Sequence, residues 1–559
     1  MMTRVWQGIK KLYQGKQATL YTSTIVVALT LLLVRLIGVV KLRILTGYFN
    51  KSQLDIFFAA FRLPDFVFEI MVAGSIGACF IPMISDLLSK KGTARKEIME
   101  FTQALSVIFL AVWGILFICM LPFFPQIIRF MLPGYSASEV TLVSTISLWI
   151  LFFQVPFLLV GNLASTVLQA EKQFMIPGLA PFFYNVGIIF GVVLWSQSAG
   201  LYAALYGVIL GAVMYVLILI PGLWWFGYRF VPKITLVSVR IRQFFKLFFP
   251  RMFSSLVSQI DATVDLSLAS LSGLGSYSSF YLARSLQLLP VSFLGIALSE
   301  TALPFFTDVK NEGNTGRLLD MSIRLIAQIF FIMGPIIIAF TVLRIPLTRL
   351  VFGGDKFDWT QTVQTAQILS VFALSLPFHT VYYIITRVFF ALEDTRTPFV
   401  TGALCTALNT ALSIVFIVVL KLPVWYLALA FGVSMTINST VLFYILLKRL
   451  DHVRLLPFLV RITAILIVTV VTGAIVLMVR KVLDGLIFDT TRTINLFFLS
   501  SFCVLVEGLV YMYLSWVIIP SELSETLSLL TRLSIVKKTV SKYRQMFIPA
   551  QNLSEEEKI

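Results

Sequence analysis

The 559-residue chain is 58% hydrophobic and only 13% charged, which excludes an ordinary soluble domain, because such domains carry about 25% charged residues. Its formal charge of +17 would suggest nucleic-acid binding in a soluble protein. Here the basic residues are scattered between apolar runs, as they are in the cytoplasmic loops of membrane proteins. The four cysteines lie within apolar runs without paired spacing, so neither a disulfide framework nor a metal site is predicted.

Long apolar runs predict membrane-spanning helices along the whole chain. A spanning helix needs about 20 apolar residues, whereas barrel strands alternate apolar and polar residues over about 10. Runs such as 411–420 and 465–479 do not alternate, so we predict an all-α integral membrane protein with fourteen transmembrane helices. Its predicted parts are a cytoplasmic N-terminal segment (1–20), an N-lobe of helices 1–6 (21–228), a cytoplasmic linker (229–243), a C-lobe of helices 7–12 (244–448), helices 13 and 14 (456–520) and a cytoplasmic tail (521–559).

The distribution of Lys and Arg predicts the orientation. If the N-terminus lies in the cytoplasm, the connections on that side and both tails hold most of the basic residues, as the positive-inside rule requires. We therefore expect a multi-pass protein with both termini in the cytoplasm. The basic residues assigned to the inner side include Lys90, Lys91, Arg95, Lys96, Arg229, Lys233, Arg240, Arg242, Lys448, Arg449 and Arg454.

Two pairs of segments indicate an internal repeat. Residues 58–86 align with 280–308 at an offset of 222, and residues 167–177 align with 388–398 at an offset of 221. Transporters are commonly built from such repeats, with the substrate at the repeat interface. Because the offset equals six predicted spans, the sequence predicts two parallel six-helix repeats followed by two C-terminal helices.

Most of the ionisable residues within spans belong to the first two helices of each repeat. Such a group costs about 2.5–3.5 kcal/mol at the bilayer centre and usually faces a cavity or a partner. For Arg35 and Arg284 we favour a water-filled cavity, whereas Lys41 and Arg43 can equally well snorkel to the outer surface. Cations in a cavity suit a phosphate-bearing substrate. The charged residues are Arg35, Lys41, Arg43, Asp55, Arg62, Asp65, Glu69, Arg251, Asp261, Asp265, Arg284 and Glu300.

Asp261 and Asp265 form a candidate ion site on span seven. They stand four residues apart on one helix face, where two carboxylates repel unless one is protonated or both share a cation. Asn409 and Ser413 on span eleven are candidate oxygen ligands, so Na+ or H+ is the expected coupling ion. The alternative is that the two aspartates simply pair with Arg251 or lie at the cytoplasmic end of the helix.

Catalytic signatures are missing from the sequence. It has no nucleotide-binding loop, no metal-ligand spacing and no nucleophile elbow. We therefore predict that the chain is not an enzyme and that it holds no resident cofactor and no metal.

Several motifs, in order along the chain, resemble one family. These are "RLIGVVKLRIL" (35–45), "FFAAFRLPDF" (57–66), "AGSIGACFIP" (73–82), "LPGY" (132–135), "LVFGGDKFD" (350–358) and "RVFFALEDTRTP" (387–398). They resemble the landmarks of the MurJ (MviN) lipid II flippase family, within the multidrug/oligosaccharidyl-lipid/polysaccharide transporter superfamily. The resemblance covers residues 20 to about 520.

The resemblance implies a monomeric flippase of the bacterial inner membrane that works by alternating access. Its substrate would be lipid II, the undecaprenyl-pyrophosphate-linked precursor of peptidoglycan, and its role would be in cell wall synthesis and cell shape. The family's cavity cations correspond to Arg35, Lys41 and Arg284, and an acidic residue opening span two corresponds to Asp55. With Arg62, these residues are the predicted substrate-binding set. Helices 13 and 14 would form a groove for the lipid tail, and membrane lipids and the cell wall synthesis machinery would be partners.

The sequence also departs from the family pattern. Where the family usually has a basic pair in span two, this chain has Phe68-Glu69, and where a glutamate is typical it has Ala73. In span one, Lys41-Leu42 stands in place of an Arg-Asp pair. These changes leave open an exporter of another polyprenyl-linked oligosaccharide, or a multidrug/cation antiporter. A membrane glycosyltransferase would need a large outer loop with catalytic acids, which the sequence lacks. A non-transporting scaffold would gain nothing from the cost of embedded arginines.

Overall fold

In the computed structural model, the residues described are 20–73, 76–89, 94–229, 235, 238–450, 455–486 and 493–532. Within these ranges the chain forms α-helices joined by turns and short π- or 3-10-helical segments, and no strand occurs there. The all-helical fold predicted from the sequence is therefore confirmed. Lys90, Lys91, Lys233, Arg454 and most of both terminal segments lie outside the described residues, as do the side chains of Arg251 and Ala73.

The first half of the chain contains eight α-helices among the described residues, of 8 to 34 residues each. The bounds are α1 (Leu20–Tyr48), α2 (Lys51–Phe68), α3 (Ile76–Ser89), α4 (Ala94–Met120), α5 (Phe124–Met131), α6 (Ala137–Ala170), α7 (Met175–Ala199) and α8 (Tyr202–Trp225).

The second half contains the remaining helices of the described chain. They are α9 (Val239–Ser270), α10 (Ser276–Pro290), α11 (Leu298–Asn311), α12 (Thr315–Val342), α13 (Arg344–Phe352), α14 (Trp359–Ala391), α15 (Arg396–Ile414), α16 (Trp425–Leu450), α17 (Leu455–Leu486), α18 (Thr493–Ile518) and α19 (Pro520–Arg532). Short π-helical segments follow α2, α10 and α15, at Glu69–Ala73, Val291–Ala297 and Val415–Val419.

Eleven helical stretches of the described chain are long and apolar enough to cross a membrane. Three further stretches lie outside this set of eleven, namely α1, α2 with α3, and α9. These three stretches carry Arg35, Arg62 and Asp265, among other embedded charges. The described chain thus has many helices with the length and apolarity of a membrane span, and the predicted count of fourteen stays a prediction.

The chain divides into two compact units. The first comprises residues 1–289, 347–375 and 396–438, and the second comprises residues 290–346, 376–395 and 439–559. In the first unit, an aromatic cluster on α3, α4 and α9 forms part of the core, with ring centroids of Phe80 and Phe101 5.1 Å apart. In the second unit, α12 packs on α17 and α18, where the Tyr511 hydroxyl donates to the carbonyl of Phe331 at 2.8 Å.

Local signals at the start of α2 position the first charged residues. Asn50 accepts a hydrogen bond from the Gln53 N–H at 3.0 Å, and the Gln53 side chain accepts from the Asn50 N–H at 3.1 Å. This reciprocal capping box satisfies two backbone donors and fixes where the helix begins. Asp55, Arg62, and Asp65 therefore follow at set positions along α2.

Candidate functional site

Arg284 of α10 lies between the two aspartates of α9 in the first unit. Its Nη1 is 3.2 Å from Oδ2 of Asp265, and its Nη2 is 4.0 Å from Oδ2 of Asp261. The Asp265 side chain is 0% exposed, so this ion pair is buried at its acidic end. Phe431 flanks the guanidinium, whose carbon lies 5.3 Å from the ring centroid. A buried carboxylate needs such a partner, because an isolated charge is costly in a low-dielectric interior.

Asn409 and Ser413 of α15 complete this cluster. The Asn409 Nδ2 group donates to Oδ1 of Asp261 at 2.9 Å and lies 3.2 and 3.3 Å from the oxygens of Asp265. The Ser413 hydroxyl donates to Oδ1 of Asp265 at 3.2 Å. The four residues predicted to hold a coupling ion are therefore brought together, and Arg284 joins them. When Asp261 and Asp265 are both ionised, the cluster with Arg284 has a net charge of −1. A bound cation or a proton would neutralise that charge.

Arg62 of α2 lies against the same helix, α9, but on neutral acceptors. Its Nη2 group donates to the carbonyl of Gln259 at 2.8 Å and to Thr263 Oγ1 at 2.7 Å, and its Nε donates to Thr263 Oγ1 at 2.9 Å. The Gln259 side chain accepts a further bond at 3.0 Å. Sequence reasoning missed Gln259 and Thr263. Their spacing of four, like that of the two aspartates, was the signal that marked a polar face on α9.

The three basic residues of α1 have different surroundings. Arg35 is exposed, and Lys41 is half-buried and interacts electrostatically with Asp65. Arg43 donates from Nη1 to the carbonyl of Leu350 at 2.7 Å, at the carbonyl end of α13, where a helix attracts cations. The structure thus gives Arg43 a partner in the protein, and the substrate-binding roles of Arg35 and Lys41 stay predictions.

Further contacts surround the C-terminal end of α1. The Thr46 hydroxyl donates to the carbonyl of Phe352 at 2.6 Å, and Lys51 Nζ lies 3.1 Å from Oδ2 of Asp358. Partial burial acts to raise the pKa of Asp358, but hydrogen bonds from Gln361, Thr360 and Lys51 outweigh it and lower the pKa below its usual value. Asp358 is therefore a stably charged partner for Lys51.

Asp55 caps a helix other than its own. Its Oδ2 accepts the N–H of Gly275 at 2.6 Å and its Oδ1 accepts the N–H of Ser278 at 2.8 Å, at the N-terminus of α10. The residue is only 3% exposed. An anion is favoured at a helix N-terminus, where backbone donors have no partner within the helix. The structure therefore gives Asp55 a role in joining α2 to α10, and its predicted substrate contact stays untested.

We expect Asp55→Ala to lower the stability of the protein by about 1–3 kcal/mol, because it leaves two buried N–H groups unsatisfied. Asp55→Asn retains one acceptor and should lose less. Thermal unfolding of the purified protein in detergent measures both effects. Asn314→Ala is the matched control, since it removes an exposed cap of α12 that water can replace. Unchanged unfolding in Asp55→Ala, with loss of transport, would instead assign Asp55 to the substrate.

The comparison with protein families decides the assignment. The family model described as "Lipid II flippase MurJ" matches residues 47–497, which is most of the chain. The chain belongs to the MurJ lipid II flippase family. The charged helices α2, α9 and α10 all lie within the matched range.

Relatives with the same family name agree over most of their length. The "Lipid II flippase MurJ" of Burkholderia cenocepacia is 26% identical over 75% of this chain and 82% of its own. The "Probable lipid II flippase MurJ" of Aquifex aeolicus is 25% identical over 91% of this chain and 97% of its own. The resemblance found in the motifs therefore extends across the spans between them.

Solved structures agree on the fold. A "Lipid II flippase MurJ, inward closed conformation" matches with a TM-score of 0.70 at 24% identity, covering 88% of this chain and 98% of its own. An inward-facing multidrug resistance MATE family transporter of the MOP superfamily matches with a TM-score of 0.63 at 16% identity, covering 77% and 98%. At these identities the two likenesses show a shared fold, and the family assignment rests on the sequence matches.

Proposed function

We propose that this MurJ family protein moves lipid II from the inner to the outer leaflet of the cytoplasmic membrane by alternating access. The observation that carries the proposal is the family match over residues 47–497. Cationic residues on α1, α2 and α10 support it, since Lys41, Arg62 and Arg284 all belong to the first compact unit. Guanidinium and ammonium groups suit the pyrophosphate of the substrate.

Complementation tests this proposal directly. Cells depleted of their own lipid II flippase should regain growth and shape when they express this chain. Flipping of lipid II in proteoliposomes that contain the purified protein is the biochemical counterpart. A chain that inserts into the membrane yet neither rescues growth nor flips lipid II would refute the proposal.

We further propose that the fold has fourteen spans. Eleven helical stretches of the described chain have the length and apolarity of a span. The three charged stretches α1, α2 with α3, and α9 supply the remainder. Each is long enough to cross the hydrocarbon core, which takes about 20 residues, and embedded charges are tolerated where they meet partners or water. The ion pair of Arg284 with Asp265 and the hydrogen bonds of Arg62 provide such partners.

Helix bounds support the two parallel six-helix repeats. The π-helical segment at Glu69–Ala73 and the one at Val291–Ala297 begin 222 residues apart. The helices that follow them, Ile76–Ser89 and Leu298–Asn311, begin and end at the same offset of 222 residues. Three boundaries at the offset found in the sequence are difficult to explain without a duplicated unit.

The loops after α6 and α14 support the same proposal. Lys172 and Glu393 have φ values of 62° and 61°, which few residues other than glycine adopt. In each loop the next residue, Gln173 or Asp394, donates its N–H to the carbonyl five residues earlier at 2.9 Å. This is the hydrogen bond of a Schellman cap, and it recurs at the 221-residue offset. We accordingly keep the N-lobe (21–228), the linker (229–243), the C-lobe (244–448) and the lipid-tail helices (456–520) as the proposed organisation of a monomer.

Fourteen spans with both termini in the cytoplasm predict which loops face the periplasm. Single cysteines at Lys51, Pro133 and Asp355, in a cysteine-free background, should react with a membrane-impermeant maleimide in intact cells. A cysteine at Lys172 is the control and should react only after the membrane is permeabilised. Protection of the Asp355 site in intact cells would contradict the fourteen-span topology.

Ion coupling through the cluster around Asp265 is the remaining part of the proposal. If Asp261 and Asp265 bind Na+ or H+, Asp261→Asn/Asp265→Asn should abolish the Na+ or pH dependence of flipping, because the neutral amides no longer attract the cation. Flux in proteoliposomes with imposed Na+ or pH gradients measures this dependence. Asp308→Asn/Asp320→Asn, which neutralises two exposed acids of the second unit, should leave the dependence intact. Persistence of the dependence in the first variant would reduce its aspartates to partners of Arg284.

A further inference from the structure

Two carboxylates in the first unit have surroundings that the proposed function does not explain. Asp65 of α2 and Glu69, the first residue of the π-helical segment that follows, lie one turn apart, and the Glu69 N–H donates to the carbonyl of Asp65. Residues at this spacing project on the same side of a helix. Both side chains are half-buried, and among the described residues neither has an ion-pair partner within 4.0 Å. Two acids at this spacing repel one another unless a cation lies between them.

Gln154 of α6 lies next to Asp65 and carries a further oxygen acceptor. Its side chain is 2% exposed, and its Nε2 lies 3.5 Å from Oδ1 of Asp65, at the outer limit of a hydrogen bond. The other branch of the same amide, Oε1, is buried and accepts no hydrogen bond from any described residue. A buried acceptor without a donor is costly, so Gln154 Oε1 lacks a donor that a bound ligand would supply.

The neighbouring cations do not supply that donor. Arg62 and Lys41 interact electrostatically with Asp65, but the described hydrogen bonds of Arg62 go to Gln259 and Thr263. Lys41 forms no ion pair with either acid within the part of the chain that the structure describes.

Two tyrosine hydroxyls also lie within electrostatic range of Asp65. Tyr184 of α7 and Tyr281 of α10 both interact electrostatically with Asp65. The ring of Tyr281 stacks on Phe58, with centroids 4.2 Å apart. A phenolic oxygen accepts hydrogen bonds, so these hydroxyls add acceptors near the place where an ammonium group would bind Asp65.

We propose that Asp65, Glu69 and Gln154 bind a primary ammonium group on the head group of the transported glycolipid. This inference rests on the proposed function and deepens it, because it makes the preferred substrate zwitterionic. An ammonium has three N–H donors, which matches the three acceptor side chains. Hard metal cations instead take six or more oxygen ligands in most protein sites, which is more than the five oxygens of these three side chains.

The residues that replace the family's basic pair in span two also favour an ammonium ligand. Where the family usually carries a basic pair, this chain has Phe68-Glu69. A basic residue at Glu69 would repel an ammonium, whereas the acid attracts it. Glu69 is therefore a specificity-determining residue rather than a lost phosphate contact.

Two matched lipids test the inference on the purified full-length protein in nanodiscs. One is lipid II with a free side-chain amine on its stem peptide, and the other is the same lipid with that amine acetylated. The wild type should bind the free-amine lipid about tenfold more tightly, the lower end of what a charge-assisted hydrogen bond contributes. In Asp65→Asn/Glu69→Gln this ratio should fall to about 1. Asp308→Asn/Glu312→Gln makes the same chemical changes at the same spacing on exposed residues and should keep the wild-type ratio.

Each outcome decides the matter. Equal binding of the two lipids by the wild type overturns the inference, even if the double variant fails to fold. So does a ratio that persists in a folded double variant. Titration with Na+ or Mg2+ at constant ionic strength tests for a metal ion at the same residues. If either metal tightens the binding of both lipids equally, and Asp65→Asn/Glu69→Gln abolishes that effect, Asp65 and Glu69 bind a metal ion and the inference is overturned. If the wild type binds neither lipid, the proposed function fails and this inference fails with it.

Discussion

Arg284→Ala is expected to cause the largest loss of folded protein among single substitutions in the charged helices. It leaves Asp265, whose side chain is 0% exposed, without its ion-pair partner and next to the second acid Asp261. Removing one partner of a buried ion pair typically costs about 3–5 kcal/mol, because the remaining charge is left uncompensated. The amount of monodisperse protein extracted from membranes, compared with wild type, measures the loss. Arg387→Ala is the matched control and should be tolerated, because its partner Glu300 is 62% exposed.

The double variant Arg284→Ala/Asp265→Asn separates folding from transport. Neutralising Asp265 removes the buried charge that Arg284→Ala leaves unpaired, so the amount of folded protein in the membrane should recover. If Arg284 also contacts the pyrophosphate, flipping per inserted molecule should still be about ten- to a hundredfold slower, since each charged hydrogen bond to phosphate contributes about 1.5–3 kcal/mol. Lysine at 284 should rescue only partly, because it keeps the charge without the bidentate geometry. A double variant with full specific activity would confine Arg284 to its structural pair.

Gly191→Val is expected to disrupt the packing of α7 against α8. The two helices approach through glycines spaced four apart, Gly187 and Gly191 on α7 and Gly207 and Gly211 on α8. A Cβ atom on Gly191 would collide with the backbone of Gly207, and one on Gly187 would collide with the backbone of Gly211. Such small residues let helix backbones meet closely in a membrane.

The cost of Gly191→Val should reach the upper end of the about 1–3 kcal/mol seen for overpacking, because the obstacle is backbone and cannot rotate away. Thermal unfolding and the monodisperse fraction after extraction are the readouts. Gly114→Val introduces the same side chain into α4, where a Cβ meets nothing within 4 Å, and should be near neutral. Equal tolerance of both substitutions would mean that α7 and α8 do not make this close contact.

Polar residues within spans were predicted with mixed success. Asp261 and Asp265 were grouped from their spacing, with Asn409 and Ser413 as candidate ligands from another span, and the structure brings the four together. Spacing could do this because residues four apart share a helix face. Spacing did not indicate that Arg284 meets both aspartates of α9, or that Glu300 lies 3.7 Å from Arg387. Sequence spacing identifies which face of a helix is polar, and it does not identify which helix meets that face.

The sequence by itself determined that the protein is all-helical with many apolar spans, and it determined the family. These follow from local properties, because the length of an apolar run decides whether a segment can span a bilayer and motifs are read within one segment. Only the tertiary structure decided that Asp55 caps α10, that Arg43 binds the carbonyl end of α13, and that Gly187 and Gly191 meet α8. Asp55 and the Gly275 N–H it accepts are 220 residues apart. A buried polar group must take whichever partner the packing brings to it, and that choice is made by the arrangement of helices in space.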